Sequence, residues 1–131
     1  RYKKDIDSIT NNNYFIKKNK EKIICSNCRE ANITYLTIHS SKGLGFDQCI
    51  LINAIDDKYG FPSKIDDDPL IKLIKPQNEE NILFPEERRL FYVALTRTKN
   101  KLYIVCPKSK VSSFVKEISI NKNVLIHKSS E

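Results

Sequence analysis

The residue with the most pointed chemistry is Arg97, in the triplet Thr96-Arg97-Thr98 directly after the apolar run Leu90–Leu95. Arginine presents a planar fork of five N–H donors that matches phosphate and carboxylate oxygens. Placed at the end of a packed helix, such a fork is held rigidly and aimed. A second concentration of chemistry lies at Thr37-Ile38-His39-Ser40-Ser41-Lys42-Gly43-Leu44-Gly45. It combines hydroxyls, an imidazole, an ammonium and glycines. Backbone N–H groups in a glycine-containing loop can cradle phosphate oxygens, and a lysine adds a point charge. It is not a Walker A loop, because G-x-x-x-x-G-K-[ST] occurs nowhere in the chain. The same residues also suit an ordinary strand-to-helix turn with a solvated lysine, and local chemistry alone does not choose between the two.

The elements that must position these groups follow from pattern. Pro85-Glu86-Glu87 suits a first helical turn, since proline lacks an N–H that would be orphaned there and carboxylates favour the positive dipole end. Six apolar or aromatic residues follow, so the helix over 85–95 is expected to be buried on most sides. A Lys99-Asn100-Lys101 turn then leads into a strand over 101–106. Ile33–His39 is β-branched and aromatic and predicts a strand. Gln48–Ile55 is nearly continuous and apolar, as in strands buried on both faces of a parallel sheet.

Lys22–Cys25 reads as a short strand and Ser26–Asn32 as a turn. A short amphipathic helix is allowed within 1–21, through Ile6, Ile9, Tyr14 and Phe15. Asp56–Gln77 holds three of the five prolines and the acidic triplet Asp66-Asp67-Asp68, and reads as a long surface connection with a helical turn at Leu70–Ile74. Ser112 or Ser113 suits the cap of a helix over 114–118, and Val124–His127 reads as a last strand. The alternation predicts an α/β domain with a mostly parallel sheet. In such sheets ligands bind at loops beyond the strand C-terminal ends, where Ser40–Gly45 would sit.

With 131 residues, the chain suits one domain spanning 1–131 with a single core. The apolar share of 40% and charged share of 30% are those of an ordinary globular protein. No apolar run approaches membrane-spanning length and no signal-peptide pattern opens the chain, so a cytoplasmic setting and no membrane partner are expected. The net charge of +7 favours a polyanionic partner. Cys25 and Cys28 form a lone C-x-x-C without the second close pair a zinc ribbon needs. Buried or incidental thiols are therefore expected at all four cysteines, ahead of zinc and then a redox C-x-x-C at Cys25 and Cys28, and no metal site.

Taken together, T-x-H-S-x-K-G-L-x-F from Thr37 to Phe46 and E-E-R-R-L-x-Y-V-A-L-T-R from Glu86 to Arg97 resemble motifs V and VI of the UvrD/Rep-like superfamily 1 helicases. Gly60-Phe61-Pro62-Ser63, Asp67-Asp68-Pro69 and Ser113-Phe114 resemble the DNA helicase IV branch. The likeness covers about residues 33–118 and leaves 1–30 unassigned. It implies a RecA-like, P-loop NTPase-type fold and the C-terminal part of the second motor domain. Arg97 would be the catalytic arginine that reaches the γ-phosphate of ATP. Lys42, Gly43 and Gly45 would join it in binding ATP, while Thr37, His39 and Ser41 would face single-stranded or duplex-junction DNA.

The family usually places a ribose-binding glutamate where this chain has Gly45. Arg88 and Arg89 would lie near the interdomain cleft, although helix-surface arginines beside Glu86 and Glu87 commonly form local ion pairs. No Walker A lysine or Walker B acidic pair is present, so ATP and Mg²⁺ would be held mainly by the first RecA-like domain of the same protein. The expectation is a monomeric fragment that is inactive alone. A nuclease-linked relative and a degenerate nucleic-acid-binding module are the alternatives; Asp66–Asp68 lacks a nuclease pattern, and Gly45 gives the second some support.

Overall fold

The computed structural model describes residues 15–17, 22–28, 30–65 and 83–127. Their elements run β1 (Phe15–Lys17), β2 (Lys22–Cys25), β3 (Ile33–Thr34), β4 (Phe46–Leu51), α1 (Pro85–Leu95), β5 (Thr98–Ile104), a 3-10 turn (Lys108–Lys110) and α2 (Ser113–Ile118). β1, β2 and β3 form an antiparallel sheet in that order, with Ile16 opposite Ile24 and Ile23 opposite Ile33. β4 and β5 pair in parallel, with Cys49 opposite Leu102 and Leu51 opposite Ile104. Parallel pairing demands a crossover connection, and α1 lies in it. The described residues thus form an α/β fragment with two short sheets, and among them the parallel sheet has two strands.

α1 starts where the sequence places it. Pro85 occupies the first turn with Glu86 and Glu87, and Phe84 precedes it in the left-handed region with φ 57°. Its burial differs from expectation. Leu90, Phe91 and Ala94 are buried, but Tyr92 is 68% exposed. A run of six residues sweeps the whole helix circumference, and only its core-facing stripe finds partners.

The core unites Ile38, Leu51, Ala54, Phe61, Leu90, Phe91, Ala94 and Phe114. At its centre three rings meet: Phe61–Phe91 at 5.3 Å and Phe61–Phe114 at 6.0 Å, both edge-on, and Phe91–Phe114 at 5.4 Å, tilted. Edge-on pairing aligns the positive ring edge with a negative face and is worth about 0.5–1.5 kcal/mol per pair beyond area burial. The turn delivering Phe61 is tight. A Cβ on Gly60 would stand 2.1 Å from the Ile55 carbonyl oxygen, so only glycine fits. The following Phe61–Pro62 peptide is cis. Ser112 lies at the N-cap position of α2, but its buried hydroxyl donates to the Phe61 carbonyl instead of capping the helix.

Several expected boundaries shift. The strand over 33–39 stops at Thr34, because beyond Tyr35–Leu36 the backbone groups bond locally: Ser40 N–H donates to Thr37 Oγ1 at 3.2 Å and Ser41 N–H to the Thr37 carbonyl at 3.1 Å. The apolar strand over 48–55 begins at Phe46 and ends at Leu51. Ile50 is 66% exposed, so β4 is covered on one face rather than both. Lys99-Asn100-Lys101 is strand, not turn. Phe46 pairs with Thr98 but Gln48 with Lys101, which places an extra residue on β5 as a bulge.

Phe15–Lys17 is extended where a helix was allowed, and Val124–His127 forms no strand. Cys25 and Cys28 are joined as a disulfide, which removes both the thiol and the zinc reading for that pair. The expectations on Asp66–Asp68 and Leu70–Ile74 lie outside the described residues.

Candidate functional site

The C-terminus of α1 meets the loop that precedes β4, and Arg97 is the joint. Its Nε donates to the Val93 carbonyl at 2.9 Å, four residues back in the last turn of α1. Its Nη1 donates to the Leu44 carbonyl at 2.9 Å, across 53 positions of sequence. Its Nη2 donates to Thr96 Oγ1 at 3.1 Å. The backbone reinforces the seam, since Phe46 N–H donates to the Arg97 carbonyl at 2.9 Å. Of the fork's five N–H groups, these bonds engage three, and the half-buried side chain keeps an outward side.

The loop is a single compact turn. Thr37 Oγ1 and Ser40 Oγ share a hydrogen bond at 2.9 Å. Lys42 N–H donates to the His39 carbonyl at 3.3 Å and Leu44 N–H to the Ser41 carbonyl at 3.1 Å. Gly43 closes the turn with φ +78°, a conformation that a Cβ would strain. His39, Lys42, Gly43 and Gly45 are exposed on the same short loop that holds Leu44 against Arg97. Ser41 differs: it is buried, and its hydroxyl donates inward to the Ile38 carbonyl at 2.8 Å. Ser41 therefore shapes the turn, and Thr37 is half-buried beside it.

Gly45 has no such backbone demand. Its φ lies outside the left-handed region, and an added Cβ would meet only Lys99 Cε, at an ordinary 3.6 Å. Lys99, which the β5 bulge brings beside Gly45, is a site neighbour that the sequence did not single out. Cys49 is half-buried in β4, opposite Leu102. Burial pushes its thiol pKa up, while a hydrogen bond with Thr98 and the Arg97 charge pull the other way.

The two arginines within α1 have structural partners. Arg88 makes a bidentate pair with Glu117 of α2, at 2.6 and 2.9 Å, and stacks 4.8 Å over the Phe114 ring. Arg89 pairs with Glu86 at 2.9 Å. Glu87 accepts the Ser63 N–H at 3.0 Å and seats the Gly60–Ser63 turn on α1. Among the described residues no three His, Cys, Asp or Glu side chains converge as a metal site. No described helix is long and apolar enough to cross a membrane.

The site is thus a helix-end arginine clasping the loop before a parallel strand, with part of its N–H fork left unused. Residues 2–109 match the model of the UvrD-like helicase C-terminal domain. The chain belongs to that family. It is 37% identical over 94 residues to DNA helicase IV of Escherichia coli, a match covering 70% of this chain and 13% of the relative. It is 31% identical over 99 residues to the ATP-dependent DNA helicase PcrA of Staphylococcus aureus, covering 68% and 12%. A third relative, an ATP-dependent helicase/nuclease component of Ligilactobacillus salivarius, is 33% identical over 94 residues, covering 56% and 8%. The chain thus spans about an eighth or less of the length of the curated relatives it matches.

Proposed function

We propose that this chain is the C-terminal part of the second RecA-like domain of an ATP-dependent superfamily 1 DNA helicase, and that Arg97 is its γ-phosphate contact. The observation that carries the reading is the Arg97–Leu44 bond, which brings the two motif segments into one site. Arg97 reaches across a cleft to ATP held by a first RecA-like domain, and its fork stabilises charge on the transferring phosphoryl group. Mg²⁺ and the attacking water are positioned by that other domain.

Lys42, Gly43 and Gly45 border the nucleotide, while Thr37 and His39 face single-stranded DNA and Ser41 sets the turn from within. When the cleft closes, Arg97 engages phosphate; when hydrolysis removes it, the cleft reopens and the motor steps. The chain's positive charge suits a phosphate backbone. Alone, the chain neither hydrolyses ATP nor unwinds DNA.

Arg97→Ala in the intact protein is the test. Turnover of DNA-stimulated ATP hydrolysis should fall by roughly 10³-fold or more, with single-strand binding retained. Near-normal turnover would overturn the role. Gly45, without the family's usual carboxylate, favours a second reading as a nucleic-acid-binding module with no ATPase role. That reading requires the intact protein to bind DNA without any nucleotide response.

A further inference from the structure

The sequence and the family likeness point at Arg97 but are silent on what holds its guanidinium. We infer that Thr96 is a positioning residue for Arg97, its hydroxyl fixing the plane of the fork; this rests on Arg97 being the phosphate contact. Thr96 Oγ1 lies 3.0 Å from the Tyr92 carbonyl and 3.2 Å from the Val93 carbonyl, so its single hydrogen is directed back into the last turn of α1. That orientation turns its lone pairs outward, towards Arg97 Nη2 at 3.1 Å. Arg97 Nε donates to the same Val93 carbonyl. The result is a closed ring of Val93 carbonyl, Nε, guanidinium carbon, Nη2 and Thr96 hydroxyl. A β-branched side chain is stiff at χ1, so threonine offers its oxygen in a fixed place.

The three acceptors around Arg97 are not equivalent. Val93 and Thr96 belong to the helix end that carries the arginine, whereas Leu44 belongs to the loop. Nη1 can exchange the Leu44 carbonyl for a phosphate oxygen while Nε and Nη2 keep their bonds. The ring at the helix end is therefore the pivot, and the Leu44 bond is the exchangeable contact. Because Val93 acts through its backbone, Thr96 is the member of the ring that substitution can delete.

The experiment measures steady-state ATP hydrolysis of the intact protein with Thr96→Val, Thr96→Ser and Arg97→Ala, singly and with Thr96→Val combined with Arg97→Ala. Thr96→Val should lower kcat about tenfold, the order expected when a charge-assisted hydrogen bond is removed, with KM for ATP changed less than about twofold. Thr96→Ser should stay within about twofold of the parent. In the Arg97→Ala background, Thr96→Val should cost nothing further. Unchanged kcat in Thr96→Val overturns the inference. So does an equal loss in Thr96→Ser, or the same tenfold loss with and without Arg97. Should Thr96→Val fail to fold, Thr96→Ala takes its place in the same comparison. If Arg97→Ala keeps turnover, the phosphate role itself falls; if Arg97→Ala loses turnover and Thr96→Val does not, only the positioning role falls.

Discussion

Replacing Gly45 by glutamate tests whether the loop or a ligand sets the residue at that position. Its φ is ordinary, and a Cβ there meets nothing closer than Lys99 Cε at 3.6 Å. The substitution removes glycine's freedom in the unfolded chain, which stabilises by about 0.4–1 kcal/mol at compatible sites. The new carboxylate lies within reach of the exposed Lys99 ammonium, and such pairs add from nothing to about 1 kcal/mol. Gly45→Glu should therefore leave stability unchanged or raise it by up to about 1 kcal/mol. Gly43→Ala supplies the contrast: space is open there, but at φ +78° a Cβ costs roughly 1–2 kcal/mol.

Urea denaturation of both variants, compared at constant m, reads the difference. Gly45→Glu destabilising as much as Gly43→Ala would refute the description of the loop. In the intact protein, a carboxylate that accepts a ribose hydroxyl should lower KM for ATP. An unchanged or larger KM would mean that a carboxylate at this position does not reach the ribose.

Two further outcomes follow from the core and the surface pairs. Ser112→Ala removes the buried hydroxyl that donates to the Phe61 carbonyl and should cost about 0.5–1.5 kcal/mol in denaturation experiments; a change within error would mean that this bond adds nothing to stability. Lys110 hydrogen-bonds Asp57 and Arg88 hydrogen-bonds Glu117, holding both carboxyls below their usual range. Groups depressed in the folded state contribute fully above their unfolded pKa, near 4, and that contribution disappears as pH falls through the lower folded value. The urea midpoint should accordingly drop below about pH 4, and Asp57→Asn with Glu117→Gln should flatten that part of the profile.

What the sequence made legible was what local chemistry dictates. Proline followed by two glutamates marked the start of α1 to the residue, and Lys22–Cys25 was readable as a strand. The run Leu90–Leu95 was legible as helix but not as one-sided, since composition does not say which of six consecutive apolar residues find partners. The start of β5 was hidden because a bulge lets Lys99-Asn100-Lys101, turn-like in composition, remain paired. Ser112 was readable as a cap position, but its bond to a carbonyl 51 positions away is a tertiary fact. The same holds at the site. Arg97 could be singled out from residue type and placement, whereas the Leu44 acceptor is a backbone carbonyl, carried by every residue and marked by none.

The parallel register between β4 and β5 also governs how this structure assembles. Phe46 pairs with Thr98 and Leu51 with Ile104, partners roughly fifty positions apart. Such contacts reward the chain only after a long loop has closed, which slows folding relative to local pairings such as β1 with β2. The closure entropy grows slowly, by only about 0.6 kcal/mol for each doubling of the enclosed chain. A sheet joined this way forms late. The Arg97–Leu44 seam, which exists only once β4 and β5 have met, is therefore among the last features to form.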